Sequence, residues 1–169
     1  MENTVKLYSL PYSNSRTYWA ALAFTAGNIL FPQLFHLIPQ GGVIWLPIYF
    51  FTLIGAYKYG WRVGLLTAIA SPLINLWLFG MPPAAALPAI LLKSCLLAVM
   101  AGWMAGKYQK ITLWSLLAAV LSYQVFGTLG EWAMKGDFYL AVQDFRLGVP
   151  GMLLQIFGGY FFVKYLIRR

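Results

Sequence analysis

The sequence has little charge and few reactive side chains. Only 9% of its 169 residues are charged, whereas soluble globular domains carry about 25%. It contains four acidic residues, one histidine and one cysteine, Cys95. One cysteine excludes an internal disulfide, and the one histidine and four acidic residues form no metal-binding motif and no nucleophile with an adjacent base. The composition therefore favours a protein that binds a ligand over an enzyme, and it predicts no cofactor.

Apolar sequence is abundant instead. Hydrophobic residues make up 61% of the chain and the mean hydropathy is +0.71, which predicts an integral protein of the lipid bilayer. The apolar runs are continuous, as in transmembrane helices, and do not alternate as barrel strands do. We therefore predict one all-α domain over residues 1–169, a bundle of six transmembrane helices. The six segments are 18–35, 43–57 (short, with Pro47), 61–79, 84–106, 111–129 and 148–166.

Basic residues predict the orientation of this bundle. Lys and Arg concentrate on the cytoplasmic side of membrane proteins, and here one side has only Lys135 and Arg146. Both termini are therefore expected in the cytoplasm, with 1–16 as a cytoplasmic arm and 130–146 as a long external loop. This bias also explains the net charge of +8, so no nucleic-acid partner is expected. The basic residues assigned to the inner side are Lys6, Arg16, Lys58, Arg62, Lys107, Lys110, Lys164, Arg168 and Arg169.

Lys93 is the most informative single residue, because it lies near the middle of the fourth apolar segment. An ammonium group at that depth costs a few kcal/mol or more unless it faces protein, water or a counter-ion. Lys93 therefore predicts a polar interior. Its removal by Lys93→Met is expected to weaken ligand binding while the protein stays folded.

Polar residues of the other segments lie in the middle or outer half of the predicted membrane, which indicates an outward-facing pocket for a small molecule. Each of them could instead serve only as an interhelical hydrogen bond, and loop 130–146 could cover the pocket or rest on the headgroups. Amides suit uncharged or zwitterionic groups, aromatic rings offer surfaces for stacking, and Glu131 is a counter-ion available to Lys93. The predicted substrate-binding residues are Asn28, Gln33, His36, Tyr49, Asn75, Trp77, Lys93, Tyr123, Gln124, Glu131, Trp132 and Gln155.

Small residues repeat every four positions on the predicted first and fourth helices. Ala23 and Gly27 form one such pair, and Ala98, Gly102 and Gly106 form another set. This spacing places them on one helix face, where two backbones can approach closely. The partner of such a face is either another helix of this chain or another membrane subunit.

Several stretches resemble the membrane-embedded S components of energy-coupling factor (ECF) vitamin transporters. The similar stretches are the Gly-rich first external loop before Leu46-Pro47-Ile48-Tyr49, Gly60-Trp61-Arg62-Val63-Gly64-Leu65, Ser71-Pro72-Leu73-Ile74-Asn75 and Gly80-Met81-Pro82.

The resemblance implies a multi-pass protein of the bacterial plasma membrane that binds a water-soluble vitamin or precursor in its outer half. It also implies docking through the first helix onto a transmembrane coupling subunit driven by two ATPase subunits, which alone would use ATP. The Ala-x-x-x-Ala docking motif of the family is replaced here by Ala23-x-x-x-Gly27.

Lys93 favours a ligand with a carboxylate, such as pantothenate, biotin, lipoate or a pteridine-type acid, over a cationic one such as thiamine. An internal pair between Lys93 and Glu131 would remove this preference.

The alternative function is that of an MreD-like structural scaffold of the membrane. Scaffold proteins of that type are similar in size to this chain and would bind no small molecule.

Overall fold

A computed structural model describes residues 5–167, and the regular structure in this range is helical, without strands. The predicted inner-side residues Arg168 and Arg169 and the first four residues of the N-terminal arm lie outside this range. Two 3-10 turns, Pro47–Tyr49 and Ala84–Ala86, precede α3 and α5. The helices are α1 Ser15–Phe35, α2 Gly41–Trp45, α3 Phe50–Tyr59, α4 Trp61–Phe79, α5 Leu87–Tyr108, α6 Leu113–Lys135, α7 Phe138–Ala141, α8 Gln143–Leu147 and α9 Val149–Leu166, which includes two π-helical stretches.

The protein is helical and membrane-embedded, as predicted from composition. Within residues 5–167, four helices are long and apolar enough to cross a membrane: α4, α5 with its preceding turn (Ala84–Tyr108), α6 and α9. The first predicted segment, 18–35, coincides with most of the 21-residue helix α1. Five of the six predicted segments therefore correspond to one helix each.

The second predicted segment, 43–57, is not one continuous helix. Leu46 separates α2 from the following turn and has a left-handed backbone, with φ 47° and ψ 45°. Pro47 has no N–H to continue the helix and disfavours a right-handed helical conformation at the residue before it. The break allows α2 to pack against α9, α8 and the end of α1, while α3 continues into the bundle.

The predicted external loop 130–146 is largely helical. Helix α6 continues to Lys135 and ends at Gly136, whose φ is 69°, so Glu131 and Trp132 lie on the helix and not in a loop. The side chain of Asp137 accepts a hydrogen bond from the N–H of Leu140 and caps α7. The i,i+4 pair of Glu131 and Lys135 supports the final turn of α6.

Small residues hold the helices close together within this chain. A Cβ atom at Gly102 would lie 2.6 Å from the backbone nitrogen of Trp61, and one at Gly64 would lie 3.0 Å from the Cβ of Ala98. The repeat on α5 therefore includes contacts with α4. On α1, a Cβ at Gly27 would lie 2.8 Å from the ring of Phe51, so Gly27 also packs inside the chain.

Candidate ligand-binding site

Two adjoining cavities lie where α2, the turn before α5 and helix α8 meet. Their volumes are about 230 Å³ and 160 Å³, and they share the wall residues Gly42, Val43, Ile48, Ala86 and Ile90. The first cavity is also lined by Pro32, His36, Pro47, Asn75, Met81, Pro82 and Pro83. The second is also lined by Leu46, Tyr49, Ala89, Lys93, Glu131, Lys135, Gln143 and Asp144.

Four charged side chains line the second cavity and form a connected cluster. The Nζ atom of Lys93 lies 2.6 Å from Oε2 of Glu131 and 2.8 Å from Oδ2 of Asp144. Nζ of Lys135 lies 2.6 Å from Oε1 of Glu131. Exposure of the side chains is 3% for Lys93, 10% for Glu131, 15% for Asp144 and 32% for Lys135. We call these residues the four-charge cluster; its formal charges sum to zero.

The geometry of α5 and α6 places Lys93 in this cluster. A Cβ at Gly127 would lie 2.5 Å from Cγ of Lys93, so the lysine stem needs a glycine on the facing helix. Glu131 is four residues beyond Gly127 and therefore lies on the same face of α6, one turn further along. Because two carboxylates neutralise Lys93, the lysine no longer favours a ligand with a carboxylate.

Asn75 is the buried amide of the first cavity. Its Nδ2 donates to the backbone oxygens of Asn28 and Ser71 over 2.9 and 3.0 Å. These two carbonyls fix the orientation of the amide. In the flipped orientation, Oδ1 would face two other oxygen atoms and be repelled by them. The Oδ1 atom is buried and has no hydrogen-bond partner among the described residues. The first cavity is otherwise apolar apart from His36, which is exposed at its wall.

Asn28, one of the predicted substrate-binding residues, links three helices. Its Nδ2 donates to the hydroxyls of Thr52 and Ser71 over 2.9 and 3.2 Å, and its Oδ1 accepts the N–H of Phe51 over 3.0 Å. The side chain is fully buried and lines neither cavity. Its role is interhelical hydrogen bonding between α1, α3 and α4.

An Asn28→Leu variant is expected to lose about 1–2 kcal/mol of stability, since three bonds of this kind contribute roughly 0.6 kcal/mol each within a membrane. Thermal unfolding in detergent measures this loss. Gln33→Leu is the matched control on the same helix, because Nε2 of Gln33 has no hydrogen-bond partner within residues 5–167. Equal unfolding temperatures for Asn28→Leu and the control would contradict the assignment.

Three further residues of the predicted binding set, Tyr123, Gln124 and Gln155, form a layer next to the second cavity. The ring of Tyr49, which lines that cavity, lies 5.4 Å from the ring of Tyr123. The hydroxyl of Tyr123 donates to Oε1 of Gln155 and accepts from Nε2 of Gln124, both over 3.1 Å. Since these three side chains are fully buried, they support the cavity wall at Tyr49 without lining either cavity.

The remaining predicted residues lie away from the cavities. Trp77 is 83% exposed, so it points outward from the bundle. Trp132 is 45% exposed and packs edge-on against Phe138 at a ring separation of 5.3 Å. Gln33 is half-buried on α1 and lines neither cavity. The predicted docking residues are Ala23 and Gly27 on α1. Ala23 is exposed, whereas Gly27 packs against Phe51.

Sequence reasoning missed two charged members of the site, Lys135 and Asp144. The pairing of Lys135 with Glu131 has a sequence signal, because opposite charges four residues apart meet on one helix face. Asp144 has no such signal, since it lies 51 residues from its partner Lys93. The apolar wall residues Val43, Ile48 and Ile90 were also missed, because nothing in an apolar run marks which side chain borders a cavity.

Comparisons of the chain with protein-family models, curated proteins and solved structures find no match. Among residues 5–167, no group of three His, Cys, Asp or Glu side chains is placed to hold a metal ion. The two cavities and their polar groups are therefore the features that indicate a function.

Proposed function

We propose that this protein is the substrate-binding S component of an ECF-type importer in the bacterial plasma membrane. The observation that carries the proposal is the pair of adjoining cavities at one end of a membrane-embedded bundle, with the four-charge cluster on one side and apolar walls on the other. Their combined volume lies within the range of about 300–1,000 Å³ that is usual for small-molecule sites. The ligand is a small vitamin or vitamin precursor.

The proposed topology has six crossings with both termini in the cytoplasm, and the broken segment from α2 to α3 is the second crossing. The three connections predicted to be external supply His36, Pro82 and Asp144 to the walls of adjoining cavities. Residues predicted to be cytoplasmic are in contact with one another: the N–H of Tyr8 donates to the backbone oxygen of Lys58 over 2.8 Å. This segregation supports the proposed grouping of the connections at two ends of the bundle, and the bias in Lys and Arg supports the cytoplasmic assignment of one end.

The proposed partners are a transmembrane coupling subunit and two ATPase subunits, which supply the energy for import. The docking face on α1 would centre on Ala23, since Gly27 is occupied by Phe51 of the same chain. Small exposed residues let a second helix approach closely within a bilayer.

Native mass spectrometry of protein purified in detergent from cells grown in rich medium tests the proposal. We expect a co-purified small molecule in the wild-type protein and its loss in Ala86→Phe, because Ala86 lines both cavities. Ala85→Phe is the matched control, since Ala85 is exposed on the same turn and lines neither cavity. An empty wild-type protein whose unfolding temperature does not change with a vitamin panel would favour the structural scaffold.

A further inference from the structure

The charges around the second cavity are balanced before any ligand arrives. Lys93 is shared by Glu131 and Asp144, and Lys135 pairs with the second oxygen of Glu131. Two cations and two anions therefore line one cavity of about 160 Å³. A net charge added by a ligand would have no counter-ion left among these four groups.

Hydrogen-bonding capacity remains at two members of the four-charge cluster. The described structure gives the ammonium of Lys135 one hydrogen bond, to Glu131, so it can still donate to a further acceptor. Asp144 accepts from Lys93 through Oδ2, and Oδ1 has no hydrogen bond to the described residues. Within the four-charge cluster, the cavity therefore presents one donor group and one acceptor group to a ligand.

The neighbouring cavity differs in chemistry. Its volume is about 230 Å³, its polar wall residues are His36 and Asn75, and it shares five wall residues with the charged cavity. A ligand that occupies both cavities would place its polar end near the four-charge cluster and its apolar body between α2 and the turn before α5.

We infer that the joined cavities take a small amphipathic molecule of zero net charge, whose polar end carries both a hydrogen-bond donor and an acceptor. A zwitterion and an uncharged amide both have this chemistry. The inference deepens the proposed function and rests on its binding site, and it replaces the ligand of net negative charge that Lys93 alone would favour. An anion would compete with Glu131 and Asp144 for Lys93, whereas a cation would compete with Lys93 for the carboxylates.

A series of phenylalanine derivatives tests this charge requirement, because its members share one ring and differ in charge. The probes are phenylalanine (zwitterion), N-acetylphenylalaninamide (uncharged), N-acetylphenylalanine (anion) and phenylalaninamide (cation). Saturation-transfer NMR titrations with the purified full-length protein measure each dissociation constant. We expect at least one of the two probes of zero net charge to bind about tenfold or more tighter than either charged probe.

The Asp144→Asn variant gives the cluster a net positive charge and is expected to shift the preference. N-acetylphenylalanine should bind this variant about tenfold tighter than it binds the wild-type protein. Asp137→Asn is the matched control: it removes one negative charge from the same segment, keeps a good helix cap and does not line either cavity. The control should keep the wild-type order of affinities.

Tightest binding of the anion or the cation by the wild-type protein overturns the inference. So does the absence of binding by all four probes, or an unchanged order of affinities in Asp144→Asn. The proposed import function fails on different grounds, namely when the chain does not associate with an ATPase-bearing coupling module. That association can be lost while the charge preference of the isolated chain remains, and a co-purified charged ligand would leave import intact while contradicting the inference.

Discussion

The Lys93→Met variant is expected to unfold at a markedly lower temperature than the wild-type protein. Lys93 is 3% exposed and lies within 2.8 Å of carboxylate oxygens on both Glu131 and Asp144. Its removal leaves two acidic groups close together in a largely buried site, and the loss of one partner from a buried ion pair costs about 3–5 kcal/mol. Thermal unfolding in detergent measures the change.

Neutralising the acidic partners should restore most of this loss. The triple variant Lys93→Met, Glu131→Gln, Asp144→Asn removes both acidic charges and leaves only Lys135 charged in the cluster, where its side chain is 32% exposed. It is expected to unfold near the wild-type temperature, since well-packed neutral groups can replace a buried ion pair. Lys107→Met is the control on the same helix, because Lys107 is exposed near the end of α5. Wild-type stability of Lys93→Met would show that the two ion pairs of Lys93 contribute nothing to folding.

The Gly151→Ala variant is expected to lose both stability and ligand affinity. A Cβ at Gly151 would lie 2.4 Å from the carbonyl carbon and oxygen of Trp45, the last residue of α2. Backbone atoms cannot move aside as a flexible side chain can, so α2 has to shift away from α9, and overpacking of this kind costs about 1–3 kcal/mol. Because Gly42 and Val43 on α2 line both cavities, the shift should also reduce ligand affinity more than about tenfold.

Gly106→Ala is the matched control for this prediction. It makes the same substitution within a helix, but no described atom beyond the adjacent residues and the backbone of its own helix lies within 4 Å of the added Cβ. Alanine is favoured over glycine in a helix interior by roughly 0.5–1 kcal/mol, so the control should be neutral or slightly more stable. Equal behaviour of the two variants would exclude close contact between α9 and α2 as the reason for glycine at position 151.

The polar residues show how far side-chain type predicts role. Asn28 and Asn75 are both buried amides in apolar segments, and both were predicted to bind substrate. The structure gives Asn28 three hydrogen bonds within the bundle. It places Asn75 at a cavity wall, where Oδ1 has no hydrogen bond to the described part of the chain. Their sequence surroundings do not distinguish them, because the difference depends on which groups the neighbouring helices present.

The sequence by itself determined the environment of the chain and most of its helices. Backbone groups must be hydrogen-bonded internally within a bilayer, so long apolar runs become helices for local reasons, and α4 occupies the predicted residues 61–79. It also identified Lys93 as interior, because an isolated ammonium is costly in lipid.

Only the tertiary structure decided what surrounds Lys93, since α8 brings Asp144 to it from 51 residues away. It also placed Trp77 outside the bundle and Gly27 against Phe51. The composition of a segment indicates whether it prefers lipid or water. The direction in which each side chain points depends on how helices that are distant in sequence pack together.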